Sequence, residues 1–125
     1  MLDEAQAIRI GSWVDEAVAA GGRLLAGGTR QGAFYAPTVL ADVPPAARIC
    51  RQEAFAPIVT AVPFREIREA IEIVNDSDFG LQAGLFTNDL TDAFEAFAEL
   101  EVGGVILNDV PTYRIDHMPY GGVKD

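Results

Sequence analysis

The sequence predicts an α/β fold, a mostly parallel sheet with helices packed on it. Three observations predict it. Apolar residues recur at i, i+3 and i+4 in three stretches, the spacing of helices with one buried face. Residues 58–62 form a dense apolar run, the pattern of a strand buried on both faces. From residue 58 onward the pattern alternates strand, helix, strand, helix, strand with short connections, which requires parallel pairing through right-handed crossovers.

Taken in order, Asp3 is placed to cap a first helix whose apolar positions include Ala5, Ile8, Val14, Ala17 and Val18, with Trp13 beside them. Gly21-Gly22 stops that helix. Residues 23–26 read as a short strand, and residues 27–32, rich in glycine, as a turn into a second strand over 34–40. The glycine turn lacks the Gly-Lys-Ser/Thr ending of a phosphate loop and the spacing of a dinucleotide fingerprint, so it is read as a turn. Asp42-Val43-Pro44-Pro45 is a stiff break. Residues 46–56 read as irregular or as one helical turn. A helix over 65–75 carries Ile67, Ala70, Ile71 and Val74 on one face; a strand over 81–87 follows. Asp89 caps a helix with Leu90, Ala93, Phe94, Phe97 and Leu100 on one face, and residues 104–107 form the last buried strand. No repeat, low-complexity tract or linker interrupts the 125 residues, which read as one continuous unit.

Composition excludes several functions. Nine basic against nineteen acidic residues give a formal charge of −10, which repels phosphate backbones and argues against nucleic acid as a partner. One cysteine, Cys50, rules out an intramolecular disulfide and makes a structural zinc site implausible; no metal site is expected. No apolar run approaches the roughly 20 residues that span a bilayer, so no membrane association is expected. The first residues lack a basic leader region, and a cytoplasmic location is the expectation.

Two stretches have the residue types of a binding site. In Arg51-Gln52-Glu53-Ala54-Phe55-Ala56-Pro57, extended chain would turn Glu53 and Phe55 to the same side. A carboxylate accepts two hydrogen bonds side by side, as the neighbouring hydroxyls of a ribose offer them, and a phenyl ring is an apolar wall for a flat heterocycle. In parallel sheets ligands gather beyond the C-terminal strand ends, where Asn108 and the loop 109–120 lie. Asn108 reads equally as a strand-end cap satisfying loose backbone groups.

The first of these stretches resembles the Glu-x-Phe-Gly-Pro motif of the NAD(P)-dependent aldehyde dehydrogenase superfamily, with Ala56 in place of the usual glycine. Four further segments resemble the same family in the same order. These are Gly27-Gly28 with 32–40; Ala70 to Leu81 around Asn75; Gly103-Gly104-Val105-Ile106-Leu107-Asn108; and Pro119-Tyr120-Gly121-Gly122-Val123-Lys124. The resemblance implies that Glu53 holds the nicotinamide ribose of NAD or NADP and that Phe55 lies against the nicotinamide. It also implies that the loop lines the aldehyde entrance, with Asn108, Arg114, His117 and Tyr120 on the substrate side.

Arg114 and His117 add positive character to an acidic protein, which suits an aldehyde bearing a carboxylate or phosphate. Against this, Arg114 pairing with Asp109 or Asp116, and His117 merely packing, account for the same letters. The loop is somewhat similar to that of lactaldehyde and non-phosphorylating glyceraldehyde-3-phosphate dehydrogenases.

The family's thiolate nucleophile sits in a Gly-Gln-x-Cys segment that does not occur here, nor does the separate catalytic glutamate segment. The expectation is a partial catalytic domain over residues 1–125, without the dinucleotide-binding domain and truncated at both ends relative to the family. No residue of the chain is assigned as catalytic, and Cys50 is expected to be an incidental thiol. The expected function is therefore that of an aldehyde dehydrogenase fragment, inactive alone and homo-oligomeric by family resemblance. The alternative is a non-catalytic interaction or oligomerisation module.

Overall fold

A computed structural model of the chain describes residues 3–124. It forms two compact units, Met1–Pro63 and Phe64–Asp125, instead of the one continuous unit expected from the sequence.

In the first unit, helix α1 (Glu4–Ala19) starts where expected, because the Asp3 carboxylate accepts the Gln6 amide at 2.8 Å. Its inner face buries Ala7, Ile10, Trp13, Val14 and Ala17. The chain then reverses through Gly21 into β1 (Arg23–Ala26), followed by β2 (Arg30–Gln31), β3 (Phe34–Tyr35) and β4 (Thr38–Ala41). A single turn of helix, α2 (Arg48–Arg51), leads to β5 (Ile58–Ala61). The sheet order is β1-β4-β5, with β4 and β5 parallel and β1 antiparallel to β4; β2 and β3 form a separate antiparallel hairpin.

The strand expected over 34–40 is broken. Ala36-Pro37 separates β3 from β4, since a proline offers no donor to a ladder. The expected burial of β5 on both faces also does not hold. Ile58 packs on the core, whereas Val59 is 57% exposed. β5 ends the sheet order and the core, with Ile10, Trp13 and Leu40, lies on one side of it.

The glycine turn is a packing device. Gly27 has φ +75°, and a Cβ there would lie 2.0 Å from the Pro37 carbonyl oxygen. Beside it the buried Thr38 hydroxyl accepts the Gly28 amide at 2.9 Å and donates to the Ala36 carbonyl at 2.8 Å. Thr38→Val keeps the shape and deletes both bonds. It is expected to cost about 1–3 kcal/mol in urea unfolding followed by Trp13 fluorescence.

The second unit contains α3 (Ile67–Asn75), β6 (Gln82–Leu85), α4 (Leu90–Glu99) and β7 (Gly104–Leu107). The parallel pairing expected from residue 58 onward holds for β6 and β7 through α4, whereas β5 pairs with β4 and not with β6. The Glu69 carboxylate reaches back to the Arg65 amide at 2.9 Å, and Asp89 caps α4 by accepting the Thr91 amide. The face of α4 differs from the expected one. Ala93 and Ala96 are buried, while Leu90, Phe94 and Phe97 are 74, 70 and 73% exposed. The small side chains let the helix approach β7 within its own unit, and the large ones point away from it. No helix among the described residues is long and apolar enough to cross a membrane.

Candidate functional site

The Glu53 and Phe55 segment begins where α2 ends, with the Gln52 amide bonded to the Arg48 carbonyl at 2.9 Å. Ala54 and Ala56 are half-buried and pack against the core cluster. The Ala54 carbonyl is held by Arg9 of α1 at 3.0 Å, and Arg9 itself stacks 4.4 Å above Trp13. With both neighbours fixed inward, Phe55 takes a left-handed φ of 50° and its side chain is 85% exposed.

The extended alternation expected across residues 53–55 is therefore corrected, because a left-handed residue turns the chain. Both side chains are nevertheless at the surface. The family's glycine position, Ala56, is not itself left-handed, so its Cβ meets no backbone penalty there. A non-glycine residue in this region costs roughly 1–2 kcal/mol. The ring gains little burial within the chain, and a flat apolar ligand laid on it would remove that apolar surface from water.

Cys50, three residues before Glu53, is half-buried against the same core. Burial pushes its thiol up, and this outweighs the hydrogen bond to Thr60 and the charge of Arg51, which act the other way. Arg48 is engaged elsewhere. Its guanidinium clasps Glu16, with Nε at 2.8 Å and Nη2 on the same oxygen, and holds that carboxyl below its usual range. A nucleophilic cysteine needs the opposite shift.

Alkylation of Cys50 by iodoacetamide at neutral pH is thus expected to be slower in the folded chain than in denaturant. Because the folded thiol is raised, its contribution to stability is intact below the ordinary thiol range. That contribution is lost as pH rises through the raised value. Faster alkylation in the folded chain would contradict this description.

In the second unit Asn108 stands at the end of β7 with φ 57°. Its side-chain oxygen accepts the Thr87 amide at 3.0 Å, and its own amide donates to the Leu85 carbonyl at 2.7 Å. Asn108 thus ties the ends of β6 and β7 together, the strand-end role left open by the sequence. The loop 109–120 carries its own turns, Tyr113 to Val110 at 3.3 Å and Met118 to Ile115 at 3.0 Å.

Arg114 does not pair with Asp109 or Asp116. Its guanidinium lies 4.7 Å above the Tyr120 ring. The two line an open cleft of about 380 Å³ with Leu81, Gln82, Pro111 and Thr112. His117 is exposed and is not in that lining, and Asn108 lines a different hollow with Thr87 and Leu90. Of the four residues assigned to the substrate side, the structure brings together Arg114 and Tyr120 only. Glu53 and Phe55 belong to the first unit. Among the described residues no group of three or more His, Cys, Asp or Glu side chains is arranged to hold a metal ion.

Two residues given no role by sequence reasoning stand out. Lys124 donates to the Asn75 and Ser77 carbonyls at 2.6 and 3.0 Å and pairs with Glu101 at 3.0 Å. The Asn75 side chain donates to the Glu99 carbonyl at 2.7 Å and accepts the Glu101 amide at 2.8 Å. Both residues lie in segments that resemble the family, and Asn75 also stands in the last turn of a predicted helix; the sequence offered these signals but not the contacts.

Comparison with known proteins adds the family. The chain is 55% identical over 124 residues to a 3-sulfolactaldehyde dehydrogenase of Priestia aryabhattai, an alignment covering 99% of this chain and 26% of that protein. It is 40% identical to a lactaldehyde dehydrogenase of Methanococcus maripaludis over 99% of this chain and 26% of the relative. Among solved structures, aldehyde dehydrogenase 21 of Physcomitrella patens in complex with the reaction product succinate is similar with a TM-score of 0.96 at 51% identity. That match covers 99% of this chain and 26% of the other. A glyceraldehyde-3-phosphate dehydrogenase of Methanocaldococcus jannaschii complexed with NADP is similar with a TM-score of 0.93 at 37% identity, over 99% of this chain and 27% of that one. The chain thus spans about a quarter of the length of the relatives it matches. The family model for the aldehyde dehydrogenases matches residues 1–125, and the chain belongs to the aldehyde dehydrogenase family.

Proposed function

We propose that this chain is the C-terminal part of the catalytic domain of an NAD(P)-dependent aldehyde dehydrogenase. In this reading it supplies the wall of the nicotinamide site and one side of the aldehyde entrance. The observation that carries the proposal is the display of Phe55, strained and 85% exposed beside the exposed Glu53, within the segment that resembles the family's cofactor motif. NAD or NADP fits these residues. The carboxylate of Glu53 accepts ribose hydroxyls, and the ring of Phe55 takes the apolar face of the nicotinamide. When bound, that cofactor accepts the hydride.

The nucleophilic thiolate is proposed to come from sequence outside these 125 residues, because Cys50 has a thiol shifted away from ionisation. The loop 109–120 contributes recognition. Arg114, stacked on Tyr120, presents a cation at an open cleft in a strongly acidic chain, which favours an aldehyde carrying an acidic group. Relatives named for 3-sulfolactaldehyde and sulfoacetaldehyde, and the neighbour complexed with succinate, support that class. Homo-oligomerisation and a cytoplasmic location belong to the same proposal, by analogy with the family.

The test is an NAD(P)H-formation assay on the purified chain with short aldehydes, some bearing a sulfonate or carboxylate. No cofactor reduction is expected while a full-length 3-sulfolactaldehyde dehydrogenase turns over under the same conditions. Turnover that disappears in Cys50→Ser would make Cys50 the nucleophile and overturn the reading.

A further inference from the structure

The loop 109–120 is fixed at its two ends, and its start packs on Gly84 of β6 through Asp109 and Pro111; further on it is held by its own turns. At its front end Asn108 clasps Thr87. At its rear end the backbone of 121–124 is pressed into the unit. The Gly121 carbonyl lies so close to Gly103 that a Cβ there would be 1.6 Å from its oxygen, and the Val123 amide donates to the Gly80 carbonyl at 3.2 Å. Lys124 closes this end. Its ammonium reaches the carbonyl of Asn75, the last residue of α3, and that of Ser77 just beyond it, where a cation complements the helix dipole, and its side chain is only 18% exposed. Asn75 receives that ammonium on its backbone and, with its side chain, ties the end of α4 to the entry of β7 through Glu99 and Glu101.

Three segments distant in sequence are thus knotted at one point, and the chain leaving it leads within four residues to Tyr120, the ring under Arg114. We infer that Lys124 and Asn75 are positioning residues: they hold the rear anchor that stacks Tyr120 beneath Arg114 and so set where the loop presents its cation. The inference rests on the proposed role of this loop in recognising the aldehyde, but its test does not.

The stacking is read directly by NMR on the 125-residue chain, because an aromatic ring shifts the Arg114 side-chain protons upfield. Lys124→Met is expected to abolish that upfield shift while signals of the first unit's core, such as Ile10 and Leu40, stay in place. Lys124→Arg, which keeps the cation, should restore most of it. Asn75→Ala retains Lys124 and deletes only the two side-chain bonds, and it carries the test if Lys124→Met fails to fold. An unchanged Arg114 shift in the folded Lys124→Met or Asn75→Ala chain would overturn the inference. A separate titration of the wild-type chain with methanesulfonate reports on the loop's proposed role. If Arg114 does not respond, anion recognition fails while the anchor stands.

Discussion

Gly103→Ala is expected to unfold the second unit or leave it barely stable, with the first unit intact. A Cβ at this position would sit 1.6 Å from the Gly121 carbonyl oxygen, 2.8 Å from its carbon and 3.1 Å from the Leu81 carbonyl oxygen. All three are backbone atoms, so no side chain can rotate aside. Overpacking of an ordinary core costs about 1–3 kcal/mol, and a clash with fixed backbone belongs at or above the top of that range. The backbone around it is pinned, since the Gly103 amide donates to the Gly80 carbonyl at 2.9 Å and the same carbonyl accepts the Val123 amide. Relief would have to come from peeling 121–124 away, with the loss of the Lys124 bonds. Hydrogen exchange measured by segment separates the outcomes. Loss of protection across β6, β7 and α4, with α1 and β4 unchanged, is the expected result.

Leu40→Ala should have an effect of comparable size on the first unit. Leu40 is fully buried between Ile10, Trp13 and the rest of the core cluster. It lies on β4, the central strand of the order β1-β4-β5. Removing a buried leucine side chain leaves a cavity and typically costs about 2–5 kcal/mol. Against a total stability of about 5–15 kcal/mol for a whole domain, that is a large share. The single tryptophan of the sequence, Trp13, is buried in the same cluster, so its fluorescence reports the transition. A urea midpoint within error of the unchanged chain would show that the cluster is not the stabilising core.

Much of this fold is written locally. Asp3 and Asp89 cap their helices as their positions before apolar stripes predicted, because an N-cap acts within three residues. The α/β class followed from the alternation of periods. What failed depended on neighbours that periodicity does not name. The stripe of α4 was visible, but Ala93 and Ala96 face inward and Leu90, Phe94 and Phe97 do not. The run 58–62 was visible, but not that β5 would end its sheet with Val59 exposed.

The candidate site divides in the same way. The letters of Glu53 and Phe55 and the cation of Arg114 were legible. The left-handed turn at Phe55 was not, since the flanking Ala54 is fixed by Arg9, 45 residues away. Nor was the Arg114–Tyr120 stack, which depends on a loop closing on itself. Asn108 was legible as a strand-end cap, and its bond to Thr87 shows it in that role.

The most direct test of the proposed role is a chimera. The matching quarter of the Priestia aryabhattai 3-sulfolactaldehyde dehydrogenase, 55% identical to this chain, is replaced by residues 1–125. The chimera is expected to oxidise its sulfonated aldehyde with formation of NAD(P)H. Glu53→Ala should raise KM for the cofactor, and Arg114→Ala should raise KM for the aldehyde with kcat little changed. Each increase should be roughly ten- to a hundred-fold, corresponding to the loss of a charge-assisted hydrogen bond of about 1.5–3 kcal/mol. A folded chimera without activity, or one indifferent to both substitutions, would contradict the assignment of cofactor and substrate contacts to this chain.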